Sequence, residues 1–417
     1  MTSRARFALS TLAGPWLLLP ALGIEIATFL VRGMPWRGEG MWTVDWFAIS
    51  LYLVGPLAAG AAAVDASRLS RPGNLHLVVG VPRSWRVYAR AAAWSAIPLM
   101  VLHLVTIVVA LLVGDVRQPG AGWLMMSVAA VVQCFAILWF VALGSAIGRF
   151  VNPLLAGLAG AAAGYVLNYL VSDALDGEPR FRLLALGAAT VTLVGRGYNP
   201  GYLVGQLAVL GITSALFVVV AMRVRSGVRL PSAAGAVAAA ISVVMIAFAP
   251  AVLPDDRRIA DPRPPGHCLG EGPEICFYYE HRRYAELIEP RIRTLTDAAL
   301  EKGYPAFVPE RIMEVSHGYR PDPAEARPLW LPSQVYEEGR YTLEDAAYDL
   351  LLPAHCEFLN GPALTPEGYD EVFFSLLGTW LEIAGAKLVD APVEHRTLTP
   401  AEVSRALDGL AACEVRK

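Results

Sequence analysis

Long apolar runs dominate the chain up to Leu253. A mixed polar pattern takes over after Pro254, where Asp255, Asp256, Arg257 and Arg258 stand in one run. A helix that crosses a membrane needs about 20 mostly apolar residues to cover about 30 Å of hydrocarbon. Seven stretches approach or exceed that length: Ala8–Val31, Phe47–Val64, Ala91–Val113, Trp123–Ile147, Phe150–Val171, Gly201–Met222 and Ser232–Leu253. A shorter apolar run, Leu183–Gly195, lies between Arg182 and Arg196 and is expected as a re-entrant or interfacial helix on the outer side. The expected fold class is an all-α membrane bundle of about seven transmembrane helices plus a short re-entrant helix, followed by a soluble α/β or α+β domain. The divisions fall at residues 1–253, a Pro-rich linker at 254–266, and 267–417.

The last part of the chain is long enough to bury its own core. Ile275–Tyr279 reads as a buried strand. A helix over His281–Lys302 sets Tyr284, Leu287, Ile288, Ile292, Leu295 and Leu300 at helical spacing, with Pro290 as a kink point. A second strand is expected over Ala306–Val315. Helices are expected after Thr342, over Pro366–Lys387, and from Thr399, where Thr399, Pro400 and Glu402 make a capping-box pattern.

Charge adds sidedness. Cytoplasmic loops hold the excess of Lys and Arg. With the N-terminus inside, the inner side collects Arg4, Arg6, Arg68, Arg71, Arg83, Arg86, Arg90, Arg149, Arg223, Arg225 and Arg229. The outer loops hold Arg32, Arg37, Arg117, Arg180, Arg182 and Arg196. The expectation is a multi-pass cell-membrane protein with a cytoplasmic N-terminus and an extracytoplasmic C-terminal domain. Arg4 and Arg6 lead into a run too long for a cleavable signal. Cysteine usage agrees: Cys134 lies in the fourth span, whereas Cys268, Cys276, Cys356 and Cys413 all lie in the later domain. An even number there suits two disulfides in an oxidising compartment, with Cys268–Cys276 and Cys356–Cys413 favoured among three pairings and buried free thiols as the alternative.

The loop after the second span reads VDASRLSRPGNLHLVVGVPRSWRVYAR from Val64 to Arg90. Asp65 closes the helix, Arg68 and Arg71 follow, then Pro72 and Gly73. A short apolar run containing Leu75 and Leu77 stops at Pro82, and Arg83, Arg86 and Arg90 lead into the third span. Such an element suits the inner membrane surface, with an apolar face free to enter a groove on a cytoplasmic partner. The pattern resembles the membrane subunits of ABC-2-type transporters over roughly residues 1–230. That family's loop carries an acidic–basic pair, a Gly, a short apolar helix ending in Pro, and basic residues before the third span. Here the matching residues are Asp65, Arg68, Gly73, Leu75, Leu77, Pro82, Arg83 and Arg90, with Asp65 where Glu is usual and Arg90 where Lys is frequent. The resemblance implies a coupling helix that docks on a separate cytoplasmic ATPase, and pairing as a homodimer or with a second permease subunit. The Leu183–Gly195 run also looks like that family's outer re-entrant helices. The seventh span and outer domain look like an arrangement on actinobacterial permease-like proteins.

Ionisable groups inside a membrane span are costly and by default suggest function. Glu25 sits about 26 Å along the first span at 1.5 Å per residue, which places it near the outer interface within reach of headgroup water. His103 lies mid-way along the third span. Asn168 and Gln206 are expected to bond between helices, and Ala156, Gly160 and Gly164 to allow close helix contact.

Composition, at 55% hydrophobic and 17% charged, fits a membrane protein, and a net charge of −3 gives no basic field for nucleic acid. Motif searches leave the catalytic and metal classes empty. There is no GxxxxGK[ST], HExxH, GxSxG or CxxC, so no catalytic residue, metal or cofactor is assigned, and ATPase activity is expected in another subunit. Glu280 with His281, Glu314 with His317, and the trio His355, Cys356 and Glu357 read as solvated or locally paired side chains. Tyr278, Tyr279, Trp330 and Trp380 read as core. Beside the transporter reading stand two others: a membrane-anchored extracytoplasmic enzyme of degenerate peptidase type, or a partner-binding receptor.

Overall fold

The computed structural model describes residues 11–71, 74, 85–117, 120, 122–171, 181–219, 222–225, 228–322, 324–353, 355–356, 366–388 and 392–414. Among the described residues, seven helices are long and apolar enough to cross a membrane: α1 (Gly14–Gly33), α2 (Gly40–Leu69), α3 (Trp85–Val113), α4 (Trp123–Gly148), α5 (Pro153–Leu170), α6 (Pro200–Val219) and α7 (Ala233–Val252). A two-stranded antiparallel hairpin, β1 (Met222–Arg225) and β2 (Val228–Pro231), joins the last two. The chain divides into two compact units. The first holds residues 1–31, 40–192 and 197–259; the second holds 32–39, 193–196 and 260–417.

In the first unit α2 packs against both α4 and α5, and small residues explain why. A Cβ added at Gly144 would lie 1.9 Å from the Ala59 carbonyl oxygen, and one at Gly148 2.1 Å from that of Ala63. From the other side, a Cβ at Gly160 would come within 2.7 Å of the Ala59 oxygen, and one at Gly164 within 3.1 Å of Pro56. Ala59 and Ala63 lie one helical turn apart, so two neighbours approach one stripe of α2 at backbone distance, where dispersion contacts replace the hydrophobic drive that lipid does not supply. The Ala156, Gly160 and Gly164 spacing is thus a packing seam, with Ala156 fully buried.

The run read as a short helix over Leu183–Gly195 is not one. Residues 181–195 carry no helix, although Phe181, Leu183, Leu184, Ala185, Leu186 and Ala189 are buried. Gly187 and Gly195 both adopt positive φ, which breaks any helical continuation. Buried irregular backbone needs other hydrogen-bond partners. Within the first unit side chains supply them: Gln206 Nε2 donates to the carbonyls of Leu183 and Ala185, Gln133 Nε2 to Leu186, Arg258 Nη2 to Gly187, and Trp42 Nε1 to Ala189. Gln206 therefore holds this segment rather than a neighbouring helix.

The second unit is built on a four-stranded sheet of β3 (His267–Leu269), β4 (Glu274–Phe277), β5 (Arg311–Glu314) and β6 (Arg327–Leu329), in that order. The β3–β4 pair is antiparallel and the other two are parallel. Helix α8 (Ala285–Glu301) provides the crossover from β4 to β5. Among the described residues four helices follow: α9 (Ser333–Glu337), α10 (Leu343–Leu351), α11 (Tyr369–Ile383) and α12 (Pro400–Ala411). Capping boxes form at Thr342/Asp345 and Thr399/Glu402. The expected strand over Ala306–Val315 shortens to β5, because a 3-10 turn occupies Pro305–Phe307 and buries Phe307 against Trp380 at 4.6 Å. Both expected disulfides are present. Cys268 and Cys276 face each other across β3–β4, and Cys356 bonds Cys413 just beyond α12.

Candidate functional site

Four polar constellations stand out. The first lies at the feet of the loop between α2 and α3. Gly73, Leu75, Leu77, Pro82 and Arg83 lie outside the described residues, but both ends of the loop are described. The Asp65 carboxylate is buried and accepts the backbone N–H groups of Ala13 (2.7 Å) and Gly14 (2.9 Å), so it caps the start of α1. Arg68 lies 4.0 Å from Asp65 and donates to the Thr11 carbonyl. Ser70, leaving α2, shares a 2.8 Å hydrogen bond with the Tyr88 hydroxyl in the first turns of α3. The Arg149 guanidinium lies over the Tyr88 ring at 4.1 Å and donates to the Val218 carbonyl at the end of α6. Sequence reasoning found Asp65 and Arg68 and missed Ser70, Tyr88 and Arg149. A lone Arg ending an apolar span was the available signal.

The second constellation lies among the first four helices. Glu25 of α1 is 2% exposed, not at an open interface as its position in the run suggested. Its Oε1 meets His103 Nδ1 of α3 at 2.8 Å and accepts from Ser50 Oγ of α2 at 2.9 Å. His103 Nε2 meets Gln133 Oε1 of α4 at 2.9 Å, and Gln133 Nε2 donates to the carbonyls of Val44 and Leu186. Asn168 is buried on α5 but is not a hydrogen-bonding member of this set. Among the described residues, Glu25 Oε2 has no protein partner.

The third constellation centres on Asp45, fully buried near the start of α2. It accepts from Arg257 Nη2 (3.1 Å), from Arg258 through both Nε (3.0 Å) and Nη2 (2.8 Å), and from the Tyr198 hydroxyl (2.9 Å). Both Arg258 donors meet the one oxygen Oδ2, while Oδ1 is left to Arg257 and Tyr198, so each carboxylate oxygen has its own charge-assisted donors. Burial, reinforced by the Asp45 charge, raises the Tyr198 phenol well above its ordinary value, so the hydroxyl stays a donor. Arg257 and Arg258, read as linker residues, anchor the end of the first unit instead.

The fourth lies in the second unit. His281 is held between two carboxylates, Glu314 on Nδ1 and Glu39 on Nε2, the latter at 2.7 Å. Glu314 Oε2 also accepts the Tyr278 N–H and Glu39 Oε2 the Leu193 N–H, each pair within 2.9 Å. Burial opposes charge on the imidazole, but Glu314 and then Glu39 outweigh it and push its pKa up to about 10. None of the three side chains is more than 3% exposed, so the cluster is closed to substrate and acts as a staple. Glu314 partners His281, not the His317 suggested by proximity in sequence. Among the described residues, ligand-type groups gather only as His355–Cys356–Cys413 and Cys268–Glu274–Cys276, and in each the cysteines are joined as a disulfide.

The seven apolar helices and the disulfide-bonded sheet domain define a polytopic membrane protein carrying a separate folded domain. No protein-family model matches this chain, and no curated protein or solved structure matches it.

Proposed function

We propose that the chain is the membrane-spanning subunit of an export-type, ATP-driven complex, and that a separate cytoplasmic ATPase docks on the loop between α2 and α3. The observation that carries this is the wiring of the loop's two feet. Ser70 and Tyr88 tie its start to its end, Asp65 and Arg68 tie its start to α1, and Arg149 ties its end to α4 and α6. A displacement of the loop therefore reaches α1, α2, α3, α4 and α6 through hydrogen bonds and a cation–π contact rather than through compliant side chains. The small-residue seam then passes it from α2 to α5. Arginine placement supports a cytoplasmic position for this loop, and the two disulfides suit an extracytoplasmic second unit. A single core of this size points to pairing with a second copy or a related subunit, in contact with membrane lipid along the exposed apolar faces of α1, α3, α5 and α7.

The test uses the full chain purified from its own membranes in mild detergent. An ATPase subunit should co-purify, Leu77→Asp should release it, and Tyr88→Phe should leave it bound while weakening the dependence of ATP turnover on the membrane subunit. Absence of any ATPase, together with labelling of single cysteines at positions 75 and 77 by an impermeant thiol reagent added to intact cells, overturns the proposal.

A further inference from the structure

The strongest unassigned feature is the Glu25–His103 pair, and its hydrogen bonds fix how many protons it holds. Gln133 Nε2 donates to two backbone carbonyls at 3.0 and 3.1 Å, so its Oε1 must be the atom facing His103. A carbonyl oxygen only accepts, so His103 Nε2 carries a hydrogen. The 2.8 Å contact between His103 Nδ1 and Glu25 Oε1 then needs one further proton between two acceptors. That proton resides either on Glu25, giving a neutral acid and a neutral imidazole, or on Nδ1, giving a carboxylate and an imidazolium. Both states are neutral overall. Without that proton a carboxylate 2% exposed would stand with no counter-charge, which burial strongly disfavours.

Among the described residues, no other titratable side chain in these helices balances it. Asp45 is taken by Arg257 and Arg258, Asp65 caps α1, Tyr88 and Arg149 pair with each other, and the Cys134 thiol faces the Met100 carbonyl. Among the described residues, Glu25 Oε2 is buried and without a protein partner, so no other donor offsets the charge of a carboxylate there.

We propose that Glu25 and His103 form a proton-binding site inside the helical bundle, in which one exchangeable proton bridges α1 and α3. The site stands whether or not an ATPase drives the chain.

The experiment uses the full-length protein in lipid nanodiscs at neutral pH. Nitrogen-15 spectra of labelled histidine and infrared spectra in H2O and D2O report the two carriers of the proton. The expected result is a protonated Nε2 on His103 together with one signature of the second proton, a carboxylic-acid band or an imidazolium pattern, lost in Glu25→Gln. The Gln amide can donate to Nδ1 as the acid does, so this variant keeps the helix contact. In His103→Gln, read independently, Glu25 should keep its proton and show the acid band. A wild-type spectrum with carboxylate and neutral imidazole together, or a carboxylate at Glu25 in His103→Gln, overturns the proposal.

Discussion

Raising the pH should loosen the second unit in part through His281, and the size of that contribution follows from its two carboxylates. In the folded chain Glu314 and Glu39 hold the imidazole charged up to about pH 10 against the opposing effect of burial. An unfolded histidine titrates near 6.5. The stabilisation is therefore complete below about pH 6.5 and is lost as the pH rises toward about 10, because the folded state keeps a proton that the unfolded state has released. Across that window each pH unit shifts the equilibrium about tenfold, so going from pH 7 to 9 removes about 2 to 3 kcal/mol, on the order of a hundredfold change in the opening equilibrium. The assay is hydrogen exchange at the core amides of Leu295 and Ala299 in the full chain, with wild type and His281→Gln compared at each pH so that intrinsic exchange rates cancel. The ratio of their protection factors should shrink by that factor between pH 7 and 9. The four cysteines of this unit are all paired, so thiol exchange does not obscure the alkaline arm. A ratio that stays constant over those two pH units would show that the imidazole is not charged in the folded state and refute the reasoning.

Three other outcomes are expected. Burial pushes Asp349 up to about 8, so the folded state keeps a proton that an unfolded Asp loses near 3.9; stability falls as pH rises between those values, and Asp349→Asn should raise the unfolding midpoint at pH 8 while leaving it unchanged at pH 4. Chain entropy ranks the disulfides: opening Cys356–Cys413, with a separation of 57 residues, should cost about 4 kcal/mol, and opening Cys268–Cys276, with a separation of 8, about 2.5 kcal/mol, measured by denaturant unfolding of Cys356→Ser and Cys268→Ser. Gly144→Leu places a Cβ 1.9 Å from the Ala59 carbonyl oxygen, so α2 and α4 must separate, and thermal unfolding in nanodiscs should show a loss well beyond that of Gly23→Leu on α1, where nothing lies within 4 Å and the backbone is helical.

The apolar spans were legible because lipid imposes one length and one polarity on every crossing, and sequence displays both. The disulfides were legible because an even set of cysteines in one domain has few pairings. What sequence hid was partnership across distance. His281 and Glu39 are 242 residues apart, and Glu39 sits in a short loop with no pattern of its own. Arg257 and Arg258 looked like a solvated linker, and nothing local signals that both reach Asp45, more than 200 residues earlier. The Leu183–Gly195 run misled for a specific reason: its apolar content reports burial, which helix and irregular backbone share. The better signals were Gly187 and Gly195 inside it, and the unexplained amides Gln133 and Gln206 in two spans, because buried irregular backbone needs amide donors from elsewhere.

Those amides also tie the irregular segment to the proton site. The polar side chains of the bundle separate by what they bond. Gln206 and Trp42 serve backbone carbonyls, whereas Glu25 and His103 serve each other. Gln133 does both, since its Nε2 holds the Leu186 and Val44 carbonyls while its Oε1 fixes the tautomer of His103. If the segment around Leu186 withdraws, one of the two contacts that orient this amide disappears. Turning the amide over would then present a donor to Nε2, which requires that nitrogen to give up its hydrogen. Placement of the proton between Glu25 and His103 is therefore conditional on backbone geometry at Leu186. The Leu186 carbonyl thereby links the orientation of the Gln133 amide, and through it the tautomer of His103, to the backbone of the 181–192 segment.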